Sequence, residues 1–178
     1  MSSSRVAKRY ARALLELAAE QNHIEDWGAE LERLARMITT PDLAERLTSP
    51  ELPEPARVQA MTKIAERLEL SFPLRSFAAV LARHGRIDAA GAISDAYQVL
   101  LDQRLGRARG ELTFAAQPGD DEVARVVAGL EGLVGKKVIA TVKVAPALLG
   151  GVVAVIGGKI YDASLETRLQ EAQRRLSQ

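Results

Sequence analysis

A mainly α chain with a small α+β domain at its C-terminal end is the fold this sequence predicts: an N-terminal six-helix bundle, then a domain with a small β-sheet and flanking helices. Three observations point to it. Residues 1–105 carry apolar residues at helical spacing, segment after segment. Beyond Gly106 the apolar period drops to two, which is the period of a strand. Gly157-Gly158-Lys159 then separates two β-rich runs, a hairpin signal. The expected domains are therefore residues 1–105 and 106–178.

The first segment runs from about Arg5 to Gln21. In the second, Ile24, Trp27, Leu31, Leu34 and Ile38 follow a 3-4-3-4 spacing that places all five on one helical face. A short piece with Leu43 and Leu47 follows Pro41. The run Ser49-Pro50-Glu51-Leu52-Pro53-Glu54-Pro55 is a loop entering a helix, because proline suits the first turn. Val58, Met61, Ile64, Ala65 and Leu68 mark that fourth helix; Leu74, Phe77, Val80 and Leu81 mark a fifth. Gly85, in His84-Gly85-Arg86, is placed to end it in the left-handed conformation. Ile87, Ala90, Ile93, Tyr97, Leu100, Leu101 and Leu105 mark a long sixth helix.

Gly106-Arg107-Ala108-Arg109-Gly110 reads as a polar hinge. Leu112, Phe114 and Ala116 alternate with Glu111, Thr113 and Ala115, as in a strand. Asp120 and Asp121 are candidate caps for a helix carrying Val123, Val126, Val127, Leu130 and Leu133. Val138, Ala140, Val142 and Val144 alternate again, the strands Val152 to Ile156 and Ile160 to Asp162 form the hairpin, and a last helix spans about Ser164 to Leu176.

Composition removes several functional classes. Hydrophobic residues make up 47% and charged residues 26%, too apolar and too evenly charged for a disordered chain. Lys and Arg number 24 against 23 Asp and Glu, for a net charge of +1, so the clear basic excess of a nucleic-acid binder is missing. With no cysteine there is no disulfide, thiolate metal site or Cys nucleophile. No apolar run is long enough to span a membrane, and Met1-Ser2-Ser3-Ser4-Arg5 lacks the apolar core of a signal peptide.

Catalytic constellations are equally scarce. His23 and His84 are far apart in sequence, each at a helix edge, and no His/Asp/Glu spacing gathers metal ligands. Gly135-Lys136 and Gly158-Lys159 hint at a phosphate loop, but that loop needs a glycine five residues before the last one and Ser or Thr after the lysine. Leu130 and Val153 hold the first position, Lys137 and Ile160 the second. The Arg-rich hinge, with Arg104, Arg107 and Arg109, has no interleaved aromatics to stack bases and reads as a solvated linker. The expectation is no catalytic residue, no cofactor and no metal.

The first helix is more informative. At about 100° per residue, Val6, Ala7, Tyr10, Ala11, Ala13, Leu14, Leu17 and Ala18 spread over roughly 160°, and Leu15 widens the arc to roughly 200°. A surface helix needs an apolar stripe of about 100° or somewhat more. The surplus means either deep burial in its own bundle or a position between that bundle and a partner helix, which Ala7, Ala11 and Ala18 are small enough to admit closely.

Three stretches carry a family resemblance. Val6-Ala7-Lys8-Arg9-Tyr10-Ala11-Arg12-Ala13-Leu14 resembles the opening helix of ATP synthase delta subunits, the oligomycin-sensitivity-conferring protein family. Arg83-His84-Gly85-Arg86-Ile87 resembles the family's Asn-Gly-Arg turn, with His84 in place of Asn. Val144-Ala145-Pro146-Ala147-Leu148-Leu149-Gly150-Gly151-Val152, Ile156-Gly157-Gly158 and Asp162-Ala163-Ser164 resemble its Val-Asp-Pro-x-Leu-Ile-Gly-Gly, Ile-Gly-Asp and Asp-x-Ser signature; Ala145 and Gly158 each lack the family's carboxylate.

The resemblance implies a non-catalytic stator protein, one copy per F-type ATP synthase, peripheral on the cytoplasmic side of a bacterial plasma membrane and without membrane insertion. Its six-helix bundle would receive the N-terminal helix of an alpha subunit between the first and fifth helices, on Tyr10, Ala13 and Leu14 with Phe77 and Val80 opposite. Its C-terminal domain would hold the C-terminal end of the b-subunit stalk, with Leu149, Val153, Ile160, Leu165 and Leu169 as candidates. No nucleic acid is implied. The competing expectation is a helical adaptor that binds partner helices in another complex.

Overall fold

The computed structural model describes residues 3–148 and 150–164. The chain divides into two compact units, one running to Leu101 and the other beginning at Asp102. The first is helical and the second holds a mixed sheet with one described helix.

In the first unit the apolar periodicities become α1 (Ser3–Glu20), α2 (Ile24–Ile38), α3 (Pro41–Thr48), α4 (Glu54–Arg67), α5 (Phe72–Arg83) and α6 (Ala90–Arg104), whose last residues pass into the second unit. The sixth segment begins differently from expectation: Ile87–Ala89 is a separate 3-10 turn, and the α-helix starts at Ala90. Trp27, Leu31, Leu34 and Ile38 of α2 are buried with Met61, Leu74, Leu81, Ile93 and Tyr97. Gly28 permits close approach of α2 and α6, since a Cβ there would lie 3.2 Å from both Tyr97 and Leu101. The Tyr97 hydroxyl donates to the Ile24 carbonyl at 2.8 Å, and burial pushes its pKa from 10.0 to about 12.

Three helices end alike. The residue after the C-cap turns left-handed, and the next N–H reaches back to the carbonyl five residues earlier. Gly85 (φ 59°) does this for α5, with Arg86 N–H donating to Leu81 at 2.9 Å. Asn22 (φ 60°) does it for α1 and Glu69 (φ 52°) for α4. Glu30 of α2 secures the start of α5, accepting from both the Ser71 N–H (2.8 Å) and its hydroxyl (2.7 Å).

The second unit is built on β1 (Arg107–Phe114), α7 (Asp120–Val134), β2 (Lys137–Val144), β3 (Val152–Ile156) and β4 (Lys159–Asp162), in the sheet order β2-β1-β3-β4. β1 and β2 are parallel, so the chain must cross over between them, and α7 is that crossover. The β1–β3 and β3–β4 pairs are antiparallel. Gly157 and Gly158, both at positive φ, make the two-residue turn between β3 and β4. Leu112, Phe114, Val138, Ala154 and Ile156 face α7 and bury against Leu130.

Two expectations are corrected here. The stretch from Arg107 to Gly110 is not a solvated hinge but the first half of β1, in register with Lys137 to Ala140. Arg109 donates through Nε to Asp102 at 2.5 Å, and Gly110 is needed because a Cβ would fall 2.6 Å from Ile156 Cγ1. Asp120 and Asp121 are not caps either. Gly119 holds the N-cap, and the two carboxylates lie in the first turn, where the helix dipole favours negative charge. The expected helix from Ser164 to Leu176 lies outside the described residues beyond Ser164.

Candidate partner-binding surfaces

Around α1 the side chains fall into three sectors. Ala7, Ala11, Leu14, Leu15 and Ala18 are buried in the unit's own core. This overturns the idea that the alanines form a flank for a visiting helix: they let α1 sit close to its own neighbours. Arg5, Lys8, Arg9, Arg12 and Glu16 are exposed. Between those sectors run Val6 and Tyr10, half-buried, and Ala13 and Leu17, exposed, the last by 48%. Their 4-3-4 spacing makes a straight stripe along α1.

One side chain of α5 supports the stripe from below. The Tyr10 and Phe77 rings meet edge to face, centroids 5.9 Å apart and planes inclined by 64°. Phe77 is itself mostly buried, and Val80, one turn further along α5, is half-buried. The Arg9 guanidinium lies 5.7 Å from the Tyr10 ring centroid. Of the five residues expected here, Tyr10, Ala13 and Val80 offer surface, while Leu14 and Phe77 form the floor. Leu17 and Val6 belong to the stripe and were not singled out, although the spacing from Val6 to Leu17 carried the signal.

In the second unit the two faces of the sheet differ. Val153 and Ile160 lie on the face away from α7, where the register sets Ile160 opposite Val155. Val155 is 40% exposed and Ile160 71%. Towards β2 the same face becomes polar, and Lys143 Nζ pairs with Glu111 at 2.7 Å. On the α7 face a groove of about 560 Å³ opens among Val126, Leu133, Val152 and Tyr161, with Leu133 72% exposed. Sequence reading missed this groove; the signal was Val126, Leu130 and Leu133, one turn apart. Leu149, Leu165 and Leu169 lie outside the described residues.

Chemistry-bearing groups are dispersed. Among the described residues no three His, Asp or Glu side chains converge as a metal site, and no helix is long and apolar enough to cross a membrane. His23 Nδ1 pairs locally with Asp26 at 2.8 Å and His84 forms the C-cap of α5. What the described surface does offer is apolar side chains set beside one another on α1 and on both faces of the sheet.

The family model for the ATP synthase delta (OSCP) subunit matches residues 6–176. The chain is 37% identical over 175 residues to the ATP synthase subunit delta of an Anaeromyxobacter species, covering 97% of each chain. It is 34% identical over 174 residues to that of Geobacter metallireducens, again covering 97% of each. A chain in a cryo-EM structure of the Toxoplasma gondii mitochondrial ATP synthase hexamer has a similar fold, with a TM-score of 0.66 at 18% identity over 97% of both chains.

Proposed function

From the premise that the chain belongs to the ATP synthase delta (OSCP) subunit family, we propose that each of its two units grips a different partner. The family role is mechanical: a non-catalytic stator element of the F-type ATP synthase peripheral stalk, supporting ATP synthesis as a peripheral part of a membrane complex. In this reading α1–α6 are the six-helix bundle of the family, residues 1–105 bind the catalytic head, and residues 106–178 bind the stalk, with one copy per complex on the cytoplasmic side.

The observation that carries the head-binding reading is the Val6–Tyr10–Ala13–Leu17 stripe, half-buried at Val6 and Tyr10 and open at Ala13 and Leu17, with Phe77 of α5 packed beneath Tyr10. A helix laid there has an apolar floor and needs no catalytic group. The N-terminal helix of an alpha subunit is the proposed occupant. The far end of the stalk, formed by the C-terminal residues of the b subunits, is assigned to the second unit. There Val153 and Ile160 share an apolar sheet face, and Val126, Leu133 and Tyr161 line a groove on the other. Two grips on one chain raise the effective concentration of each, so individually modest contacts hold under rotor torque.

Co-purification from native membranes tests the assignment. The chain should carry alpha and b subunits with it, and Tyr10→Ala should release the former while sparing the latter. Loss of both, or of neither, would refute the two-grip division.

A further inference from the structure

Resting on the groove reading above, we propose that the α1–α5 groove accepts a helix with carboxylates flanking its apolar stripe, so that charge as well as shape selects the occupant. Arg5, Lys8, Arg9 and Arg12 are exposed on the outward sector of α1, which meets the apolar stripe at Arg9. They line one shallow concavity with Ala13 and Glu16. None of the four has an ion-pair partner among the described residues. Arg9 lies over the Tyr10 ring instead, linking the basic row to the stripe. Arg83, also exposed, follows Val80 by one turn of α5.

This concentration does not reflect a basic protein, since the whole chain carries only +1. The first turn of α1 contains no acid, and its N-terminus adds partial positive charge. Four like charges within two turns repel one another at separations inside the screening length of about 10 Å. A carboxylate row laid beside them relieves that repulsion, a neutral row leaves it, and a basic row increases it. The groove therefore has a preferred partner chemistry: an amphipathic helix, apolar on one face and acidic along its borders.

Three helical peptides with one shared apolar face and Glu, Gln or Lys at the flanks test this on the full chain by calorimetry. At about 20 mM salt the Glu peptide should bind at least about tenfold more tightly than the Gln peptide. The Lys peptide should bind more weakly still. At about 0.5 M salt the Glu-over-Gln preference should fall below about threefold, as screening shortens to a few Å. Arg5→Gln/Lys8→Gln/Arg12→Gln should bind the Gln peptide at least as well as the parent, which shows it folded, and lose the preference for Glu. Equal affinity for the Glu and Gln peptides, with Tyr10→Ala weakening both, would overturn the charge match and leave the groove standing. Absence of binding by every peptide would remove both. Phosphatidylglycerol vesicles form the last arm: binding through the same three cations in preference to the Glu peptide would assign the row to a lipid surface and overturn the proposal.

Discussion

Tyr10 of α1 leans edge-on against Phe77 of α5, ring centroids 5.9 Å apart, and so bridges the core and the surface stripe. Phe77 is anchored inside, and Tyr10 is held by it with the Arg9 guanidinium above. A ring already fixed in place loses little side-chain freedom when a partner covers it.

The first prediction separates floor from surface in this groove. Tyr10→Ala and Val80→Ala should each bind a peptide copied from the N-terminal helix of an alpha subunit at least about tenfold more weakly, about 1.4 kcal/mol, with only a small fall in Tm. Phe77→Ala should instead cost about 3 kcal/mol of stability, because it opens a cavity in the core. Early melting of the Tyr10 and Val80 variants, with normal binding by the folded remainder, would make these side chains structural.

Glu69 occupies a left-handed position (φ 52°) after α4, where the equivalent position after α5 is Gly85. A side chain there is strained by about 1–2 kcal/mol, partly offset by the extra freedom glycine has when unfolded. Glu69→Gly should therefore stabilise the chain by about 0.5–1 kcal/mol in urea unfolding. A lower midpoint at unchanged slope would contradict the strain argument.

Gly110 leaves no room for a methyl group beside Ile156. Gly110→Ala should destabilise by about 1–3 kcal/mol through overpacking. In the Ile156→Ala background the same change should cost much less. An equal cost in both backgrounds would show that backbone freedom, not contact, demands the glycine.

Tyr97 predicts an alkaline limit. Its folded pKa is raised from 10.0 to about 12 by burial, so between these values the folded chain keeps a proton that the unfolded chain has released. Stability from this group is complete below pH 10.0 and is lost as pH rises through about 12. Tyr97→Phe should lose about 1 kcal/mol at neutral pH with the bond to Ile24, and should show a shallower decline above pH 10.0. Parallel decline in both proteins would exclude Tyr97 as the cause.

The helices were legible because each repeats an apolar face and ends on a local signal, as at Gly85. The strand character of Arg107 to Gly110 was not, because it depends on pairing with Lys137 to Ala140, beyond the whole of α7. Locally, two arginines between glycines look like a linker. Capping by Asp120 was misplaced by one residue because Gly119 already adopts the extended N-cap conformation. The first helix announced a surplus of apolar surface but not its division. Only packing shows that Ala11 and Ala18 turn inward while Ala13 and Leu17 turn out. In the second unit, Val153 and Ile160 were candidates only through the family resemblance, and their shared face follows from the β3–β4 register; the groove at Leu133 depends on how α7 lies across β3 and β4.

The central place of β1 governs how the second unit breaks under load. Its ladder is bonded on both sides, to β2 in parallel and to β3 in antiparallel. A pull along the axis of β1 would load both flanking ladders in shear, so their hydrogen bonds would have to rupture in concert. Tension applied across β4 instead would peel its short ladder from β3 one bond at a time. The sheet is thus mechanically anisotropic, stiffer to load along β1 than to load across β4.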